Sequence, residues 1–185
     1  MRLLLTVALV GAIVAGAITL VAGADQDNQA MPQPWGTWVW RTHTPSGAAL
    51  PTLVTYHQDG TIAGSDFSMF GGTVSNLARR ATPLNGVWER TGPRTIGGTC
   101  LYLVFDASTN LLIGFGRARS ALEFTPGDFD QFEGRMFVDF LACPTPSTCP
   151  DPLDQSAAWT SYNSMVPDGF VVSAKRLHRV EAGPL

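Results

Sequence analysis

The chain has few of the residues from which catalytic and metal centres are built. It contains three histidines and three cysteines among 185 residues. No second histidine or cysteine stands two to four residues from His43, His57 or His178. Metal sites commonly show two ligands at such short spacing. We therefore expect no bound metal.

Several motifs that mark common enzyme classes are also missing. The chain has no Gly-x-Ser-x-Gly, no Gly-x-Gly-x-x-Gly, no phosphate-binding loop and no Cys-x-x-Cys-His. These absences argue against a hydrolase nucleophile elbow, a nucleotide site and covalently attached haem. We expect a non-catalytic protein without a cofactor.

Clusters of basic residues are lacking as well. The chain carries 12 basic and 15 acidic residues, for a net charge of −3. Nucleic acids and anionic lipid headgroups are usually bound by clustered lysine and arginine. We therefore expect no nucleic-acid partner.

One long apolar run stands near the N-terminus. Leu3 to Ala24 carry no charge, follow Arg2, and as a helix are long enough to cross the ~30 Å hydrocarbon layer of a membrane. Ala22-Gly23-Ala24 before Asp25 fits the cleavage site of a signal peptide, although the run exceeds the ~7–15 apolar residues usual there. Both interpretations stay open, and we favour a retained single-pass transmembrane helix over residues 1–24. Its flanking charges predict a cytoplasmic N-terminus and a periplasmic remainder.

The same run carries small residues spaced four apart. Such spacing makes a flat helix face on which another transmembrane helix packs closely. The residues that we assign to helix packing are Ala8, Gly11, Ala12, Ala15 and Gly16. The predicted partners are therefore integral membrane protein subunits.

The cysteines predict one disulfide and one free thiol in an oxidising compartment. Cys143 and Cys149 bracket a short proline-containing loop, so their pairing is the simplest one. Cys100 lies within an apolar run and is expected to behave as a small buried hydrophobe.

The remaining chain predicts one β-domain. Residues 25–34 are polar with two prolines and predict a linker, residues 35–180 predict the domain, and residues 181–185 a tail. Short alternating runs between turn residues predict strands rather than helices. The predicted strands are Gly36–His43, Pro51–His57, Thr61–Phe67, Gly86–Thr91, Thr99–Phe105, Leu111–Phe124, Phe129–Ala142 and Gly169–Arg179. We also expect a short ninth element at 159–165, a non-strand insertion at 69–83 and a proline-rich hairpin tip at 143–155.

Eight consecutive antiparallel strands leave two unpaired edges unless the sheet closes. A closed or nearly closed barrel removes both edges. Glycines within the predicted strands supply the bends that closure requires. The predicted fold is thus an all-β antiparallel barrel of about eight strands preceded by one transmembrane helix.

Charged residues concentrate on two neighbouring strands. Glu133 and Asp139 share one face of their strand, and Arg117 and Arg119 share one face of the strand before it. Cross-strand ion pairs explain this pattern. The alternative is a polar barrel interior that holds an acid–base pair.

The segment Gly36-Thr37-Trp38 resembles the first strand of lipocalins and the wider calycin group. In that group the tryptophan closes one end of the barrel beneath an arginine from the last strand. The resemblance therefore implies barrel closure by Gly36, Trp38 and either Arg176 or Arg179. The segments TYHQDGTI and NGVWERTGPRT resemble small bacterial lipocalin-like proteins of unassigned function, and the resemblance covers roughly residues 35–179.

Three functional hypotheses follow from these patterns. The first is a membrane-anchored accessory subunit whose helix packs in a larger complex, for which respiratory and photosynthetic complexes are plausible hosts, and whose barrel caps it outside. The second is a periplasmic lipocalin-like carrier of a small apolar ligand, in which the first segment is dispensable. The third is a barrel enzyme of the cyclase type, for which the sequence offers no catalytic group to name.

Overall fold

The computed structural model describes residues 31–66, 73–74, 77–161 and 166–178. The predicted helix-packing residues Ala8, Gly11, Ala12, Ala15 and Gly16 lie outside the described residues, and so does Arg179. Within the described ranges, no helix is long and apolar enough to cross a membrane.

The described residues form eleven strands and no helix. Their bounds are β1 Gly36–His43, β2 Ala49–Tyr56, β3 Thr61–Asp66, β4 Thr73–Val74, β5 Leu77–Ala81, β6 Leu84–Arg90, β7 Thr95–Asp106, β8 Leu112–Phe124, β9 Gln131–Ala142, β10 Thr160–Ser161 and β11 Phe170–Arg176. When β4, β5 and β10 are left out, the remaining eight strands correspond to the eight predicted ones.

Eight strands close into an antiparallel barrel. They follow the order β1-β2-β3-β6-β7-β8-β9-β11, and β11 pairs with β1 to complete the ring. At the seam, Trp40 lies opposite Thr52 of β2 on one side and Ala174 of β11 on the other. The predicted all-β closed barrel is therefore confirmed.

The prediction that residues 69–83 form an insertion without strands is wrong in part. Its residues include β4 and β5, and β5 pairs with the last residues of β7, with Arg79 opposite Asp106 and Ala81 opposite Val104. β7 has 12 residues and β6 has 7, so the end of β7 extends past β6 and leaves an edge that β5 covers. β10 covers the corresponding edge of β9.

The two ends of the barrel differ in their neighbours. We call the end at which β1 begins the Trp38 end, and the opposite end, where β5 pairs with β7, the β5 end. At the Trp38 end, the interior is filled by aromatic rings with buried side chains, namely Trp38, Trp40, Tyr56, Phe124 and Phe132. The Trp38 and Phe132 ring centres lie 4.2 Å apart. Full burial of one such side chain contributes roughly 1.5–3 kcal/mol.

Two interior glycines permit close contact between neighbouring strands. A Cβ on Gly86 would overlap the carbonyl oxygen of Thr99, and one on Gly134 would overlap that of Ala121. Both contacts involve backbone atoms of the adjacent strand, which cannot move without breaking the ladder. These glycines allow the strong coiling that a closed barrel of eight strands needs.

We expect Gly134→Ala to lower the free energy of unfolding by about 1–3 kcal/mol, because the added methyl group collides with backbone rather than with a flexible side chain. The matched control is Gly97→Ala, whose Cβ would meet only the Thr91 methyl group at 3.3 Å and Ser120 O at 3.8 Å. We expect the control to change stability by less than about 1 kcal/mol. Urea unfolding of both variants measures the difference, and equal losses would contradict this account.

Candidate functional site

The Trp38 end is sealed by the chain segment that enters the barrel. The indole Nε1 of Trp38 donates a hydrogen bond to the carbonyl oxygen of Pro34 at 2.6 Å. The Arg176 guanidinium lies 4.4 Å from the Trp38 ring centre and donates to the carbonyl oxygens of Gln33 and Trp35. Its Nε also donates to Asp130 at 2.7 Å. Arg176 therefore lies over Trp38, and it is one of the two arginines, Arg176 and Arg179, that the lipocalin resemblance named for this position.

Gly36 contributes to the same seal. Its φ of +110° is a conformation that side-chain-bearing residues rarely adopt, and its Cα faces the Arg176 guanidinium. The backbone can therefore turn into β1 directly beneath the arginine. Trp38 and Arg176, which were also assigned to barrel closure, lie opposite each other and are in contact. Arg176 lies next to Gly36 as well.

Two buried donors lie at the inner boundary of the aromatic cluster. In the described part of the chain, Trp40 Nε1 and the Tyr56 hydroxyl have no hydrogen-bond partner. Burial raises the pKa of Tyr56 well above its ordinary value, and interaction with the Cys100 thiol adds to the rise. An unpartnered buried donor costs about 1–3 kcal/mol.

Several interior-facing side chains towards the β5 end are not fully buried. The side chains there face the interior by register but stay partly exposed: Tyr102, Ala118, Ser120, Met136 and Val138. Ala118 lies between Cys100 and Val138 on the two neighbouring strands. We call the interior surface that these residues form the lumen; Tyr102, Ala118 and Met136 in it also pack against the aromatic cluster. Its walls are mainly apolar with a few hydroxyl groups, a composition typical of small-molecule sites.

Glycines hold two aromatic rings flat against the lumen wall. A Cβ on Gly116 would overlap the Tyr102 ring, and a Cβ on Gly114 would lie 2.6 Å from atoms of the Phe140 ring. Any larger residue at either position would push its ring into the lumen. The two glycines therefore provide the room in which the two rings lie.

One cation reaches the lumen from β5. The Cζ of Arg79 lies 4.6 Å from the centre of the Phe140 ring. β5 and β9 are separated by β7 and β8, so the two side chains can meet only on the concave side of the curved sheet. Burial lowers the pKa of Arg79 below its ordinary value, and interaction with Tyr102 opposes that shift. The guanidinium stays charged at neutral pH.

The charged cluster predicted on β8 and β9 lies on the outer face of the barrel. Asp139 accepts hydrogen bonds from Arg117 at 2.9 and 3.0 Å and from Arg119 at 3.1 and 3.4 Å. The Arg117 guanidinium also stacks on Trp159, with 4.3 Å between Cζ and the ring centre. Glu133 instead lies opposite Glu123. The cross-strand ion pairs with Asp139 are confirmed, and the alternative of an acid–base pair inside the barrel is wrong.

The segment after β9 is tied to this outer face. Cys143 and Cys149 form a disulfide, as the spacing predicted, and Cys100 is free and buried. Trp159 follows that loop and covers Arg117. The stacking of Arg117 on Trp159 and the pairing of β10 with β9 connect this segment to the outer face, whereas the disulfide closes the loop between residues 143 and 149.

The histidines stay apart from one another. His43 Nε2 lies 3.2 Å from Ser173 Oγ, and His178 Nε2 lies 3.1 Å from Asp130. Among the described residues, no three of His, Cys, Asp and Glu are arranged to hold a metal ion.

Sequence reasoning missed Arg79. It stands within a stretch that was predicted to form no strand, and the adjacent Arg80 has the same chemistry. Only the pairing of β5 with β7 separates the two, since Arg79 faces the lumen while Arg80 is exposed and donates to Asn110 Oδ1 at 3.3 Å. If β5 had been recognised as a strand in the sequence, the alternation of its side chains would have placed Arg79 and Arg80 on opposite faces.

Comparison with known proteins gives no match: neither a family model, nor a curated protein, nor a solved structure corresponds to this chain.

We expect Cys100 to react slowly with iodoacetamide in the folded protein. Burial raises the pKa of its thiol to about 12, from an ordinary value of 9.0, and the thiolate is the reactive form. Alkylation at pH 8, followed by mass spectrometry, should be at least about a hundredfold slower in the folded chain than in denaturant. Equal rates would contradict the burial of this thiol.

The same shift predicts a pH dependence of stability. The unfolded chain releases the Cys100 proton first, so the free energy of unfolding falls as pH rises from about 9 towards about 12. Cys100→Ala should reduce that slope.

Proposed function

We propose that the protein is an extracytoplasmic carrier that holds one small, mainly apolar molecule in the lumen. The observation that supports this proposal is the contrast between the two halves of the barrel. Aromatic side chains fill the Trp38 end, whereas interior-facing residues at the β5 end stay partly exposed. An eight-stranded barrel is just wide enough to hold one small ligand where its interior side chains are small.

The lumen chemistry favours an apolar ligand with one or two polar groups. Ala118, Met136 and Val138 supply apolar contact, and Ser120 and Tyr102 supply hydroxyl groups that can fix the orientation of a ligand. The charged groups Arg117, Arg119 and Asp139 lie on the outer face. The proposal therefore concerns binding and involves no chemical step.

An extracytoplasmic location is supported by the disulfide. Disulfides such as Cys143–Cys149 persist in oxidising compartments and are rare in the cytosol. The apolar run at residues 3–24 is equally compatible with export, whether it is cleaved or retained.

A filled lumen should abolish binding. We expect Ala118→Phe to weaken binding of the neutral probe N-phenyl-1-naphthylamine at least about tenfold, because the ring occupies the space between Cys100 and Val138. Energy transfer from the barrel tryptophans to the probe measures binding to the barrel itself, separately from binding to detergent.

The matched control is Ala121→Phe, three residues along β8 on the exposed outer face. It should leave probe binding unchanged, and thermal unfolding checks that both variants fold. Wild-type protein that takes up no probe, or two variants with equal binding, would contradict the carrier proposal.

A second candidate function is the membrane-anchored accessory subunit. It is favoured by a different observation, the small residues spaced four apart in the apolar run, which lies outside the described residues. In this proposal the helix packs among integral membrane subunits and the barrel caps the complex on the periplasmic side.

If this second proposal holds, full-length protein extracted in mild detergent should migrate in an assembly well above its own 19.8 kDa. Gly11→Leu combined with Ala15→Leu should release it from that assembly, because leucine side chains prevent close helix approach. Val10→Leu, which on a helix lies on the side away from the small residues, is the control. Mature protein that begins at Asp25 and leaves the membrane freely would overturn the idea.

A further inference from the structure

We infer that the Trp38 end of the barrel docks on a phospholipid membrane surface, with Met31, Trp35 and Leu177 in the interfacial layer of the bilayer. The inference goes beyond the proposed carrier function, because it concerns the outside of the closed end and involves no ligand. It takes the apolar run at residues 3–24 as a retained membrane anchor, which is an expectation from the sequence.

The segment that enters the barrel turns alternate side chains outward. Its two prolines, Pro32 and Pro34, are buried, whereas Met31, Gln33 and Trp35 are exposed. One side of the segment therefore packs on the barrel and the other side faces away from it. The outward side carries two large apolar residues.

Hydrogen bonds from three strands hold this segment across the barrel end. Its carbonyl oxygens accept hydrogen bonds from the side chains of Arg90 of β6, Trp38 of β1 and Arg176 of β11. The outward side chains therefore start from a backbone that is fixed to the barrel, and they form a defined surface.

Leu177 extends the same apolar surface. It follows Arg176 directly, and its N–H donates to the carbonyl oxygen of Thr37 at 2.8 Å, which continues the pairing of β11 with β1 by one residue. Trp35 precedes Thr37 by two residues, so Trp35 and Leu177 both lie at this end of the β1–β11 seam. Both side chains are exposed, that of Leu177 by 57%.

The length of the chain before this segment favours a membrane as the partner. Residues 25–30 separate the apolar run from Met31, and a chain of that length spans at most roughly 25 Å when fully extended. When the run spans a bilayer, so short a linker gives the barrel end an effective concentration at the lipid surface on the order of millimolar. A few apolar contacts are then sufficient, because the anchor has already offset the entropy of association.

The chemistry of the surface fits the interfacial layer. Tryptophan is enriched at membrane–water interfaces, where its ring contacts lipid and its N–H stays near water. The charges at this end are paired within the protein, since Asp130 binds both Arg176 and His178. Asp59 and Asp128 accept hydrogen bonds from their own turns. We therefore expect docking on zwitterionic lipid, without a requirement for anionic headgroups.

The experiment attaches an environment-sensitive fluorophore to one introduced cysteine in full-length protein reconstituted into phosphatidylcholine vesicles. Leu177→Cys carries the label at the Trp38 end, and Leu111→Cys, where the native side chain is 55% exposed, carries it at the β5 end. Cys100 is buried and the other two cysteines form the disulfide, so the label reacts with the introduced thiol. Lipids with a nitroxide near the headgroup should quench the label at position 177 at least about twofold more than the label at position 111, because docked side chains enter the headgroup region.

A second pair of variants separates docking from mere closeness to the anchor. Met31→Gln combined with Trp35→Gln keeps the linker length and should reduce quenching at position 177 to the level at position 111. The matched control is Leu153→Gln, which removes an exposed leucine from the 143–155 segment and should leave the quenching unchanged. Thermal unfolding checks that each variant folds, and the comparison of positions 177 and 111 in protein with Met31 and Trp35 intact does not depend on these variants.

High salt distinguishes apolar docking from attraction between charges. Quenching at position 177 should persist in 1 M salt, where the Debye length is only about 3 Å. Equal quenching at the two labelled positions, quenching that survives the double substitution, or its loss in 1 M salt would each overturn the inference. Full-length protein that does not stay with the vesicles would overturn it as well. None of these results would affect the carrier proposal, because probe binding in the lumen is measured without a membrane.

Discussion

Closure of the sheet depends on the pairing of β1 with β11, the two barrel strands farthest apart in the chain. Their register sets Trp38 opposite Arg176, and the arginine then binds the ring face, Asp130 and the carbonyl oxygens of the entering segment. One side chain thereby joins the first strand, the last strand, the β8–β9 turn and residues 33–35. Such long-range contacts must offset the entropy of closing the whole chain into a ring.

The size of interior side chains divides the barrel into two parts. Eight strands enclose a space that rings fill and small residues leave open. Five aromatic residues occupy the Trp38 end, whereas Gly114, Gly116 and Ala118 line β8 at the β5 end. In the carrier that we propose, stability and binding are assigned to different halves of one barrel.

The outer face carries its own buried charge. Asp139 has a side chain only 5% exposed, although it points away from the barrel axis, and its neighbours there are the two arginines and Ser161 of β10, which pairs with it. Two arginines supply the hydrogen bonds that a buried carboxylate requires. The same residues that suggested internal chemistry in the sequence therefore attach a loop to the wall. Arg79, by contrast, stands in the predicted insertion and lies over the Phe140 ring.

The sequence by itself determined the eight strands of the barrel, several of their turns and the disulfide, but not β4 and β5. Alternating burial, the Asp59-Gly60 turn with its positive φ at Gly60, and the short spacing of Cys143 and Cys149 are all properties of residues near one another in the chain. Tertiary structure alone decided that β5 covers the end of β7, that Arg79 rather than Arg80 faces the lumen, and that Asp139 is buried from outside. The physical reason is that the alternation of side chains along a strand fixes which of its residues share a face. Which strands lie beside it, and which of its two faces points into the barrel, are set only when distant strands pair and the sheet closes.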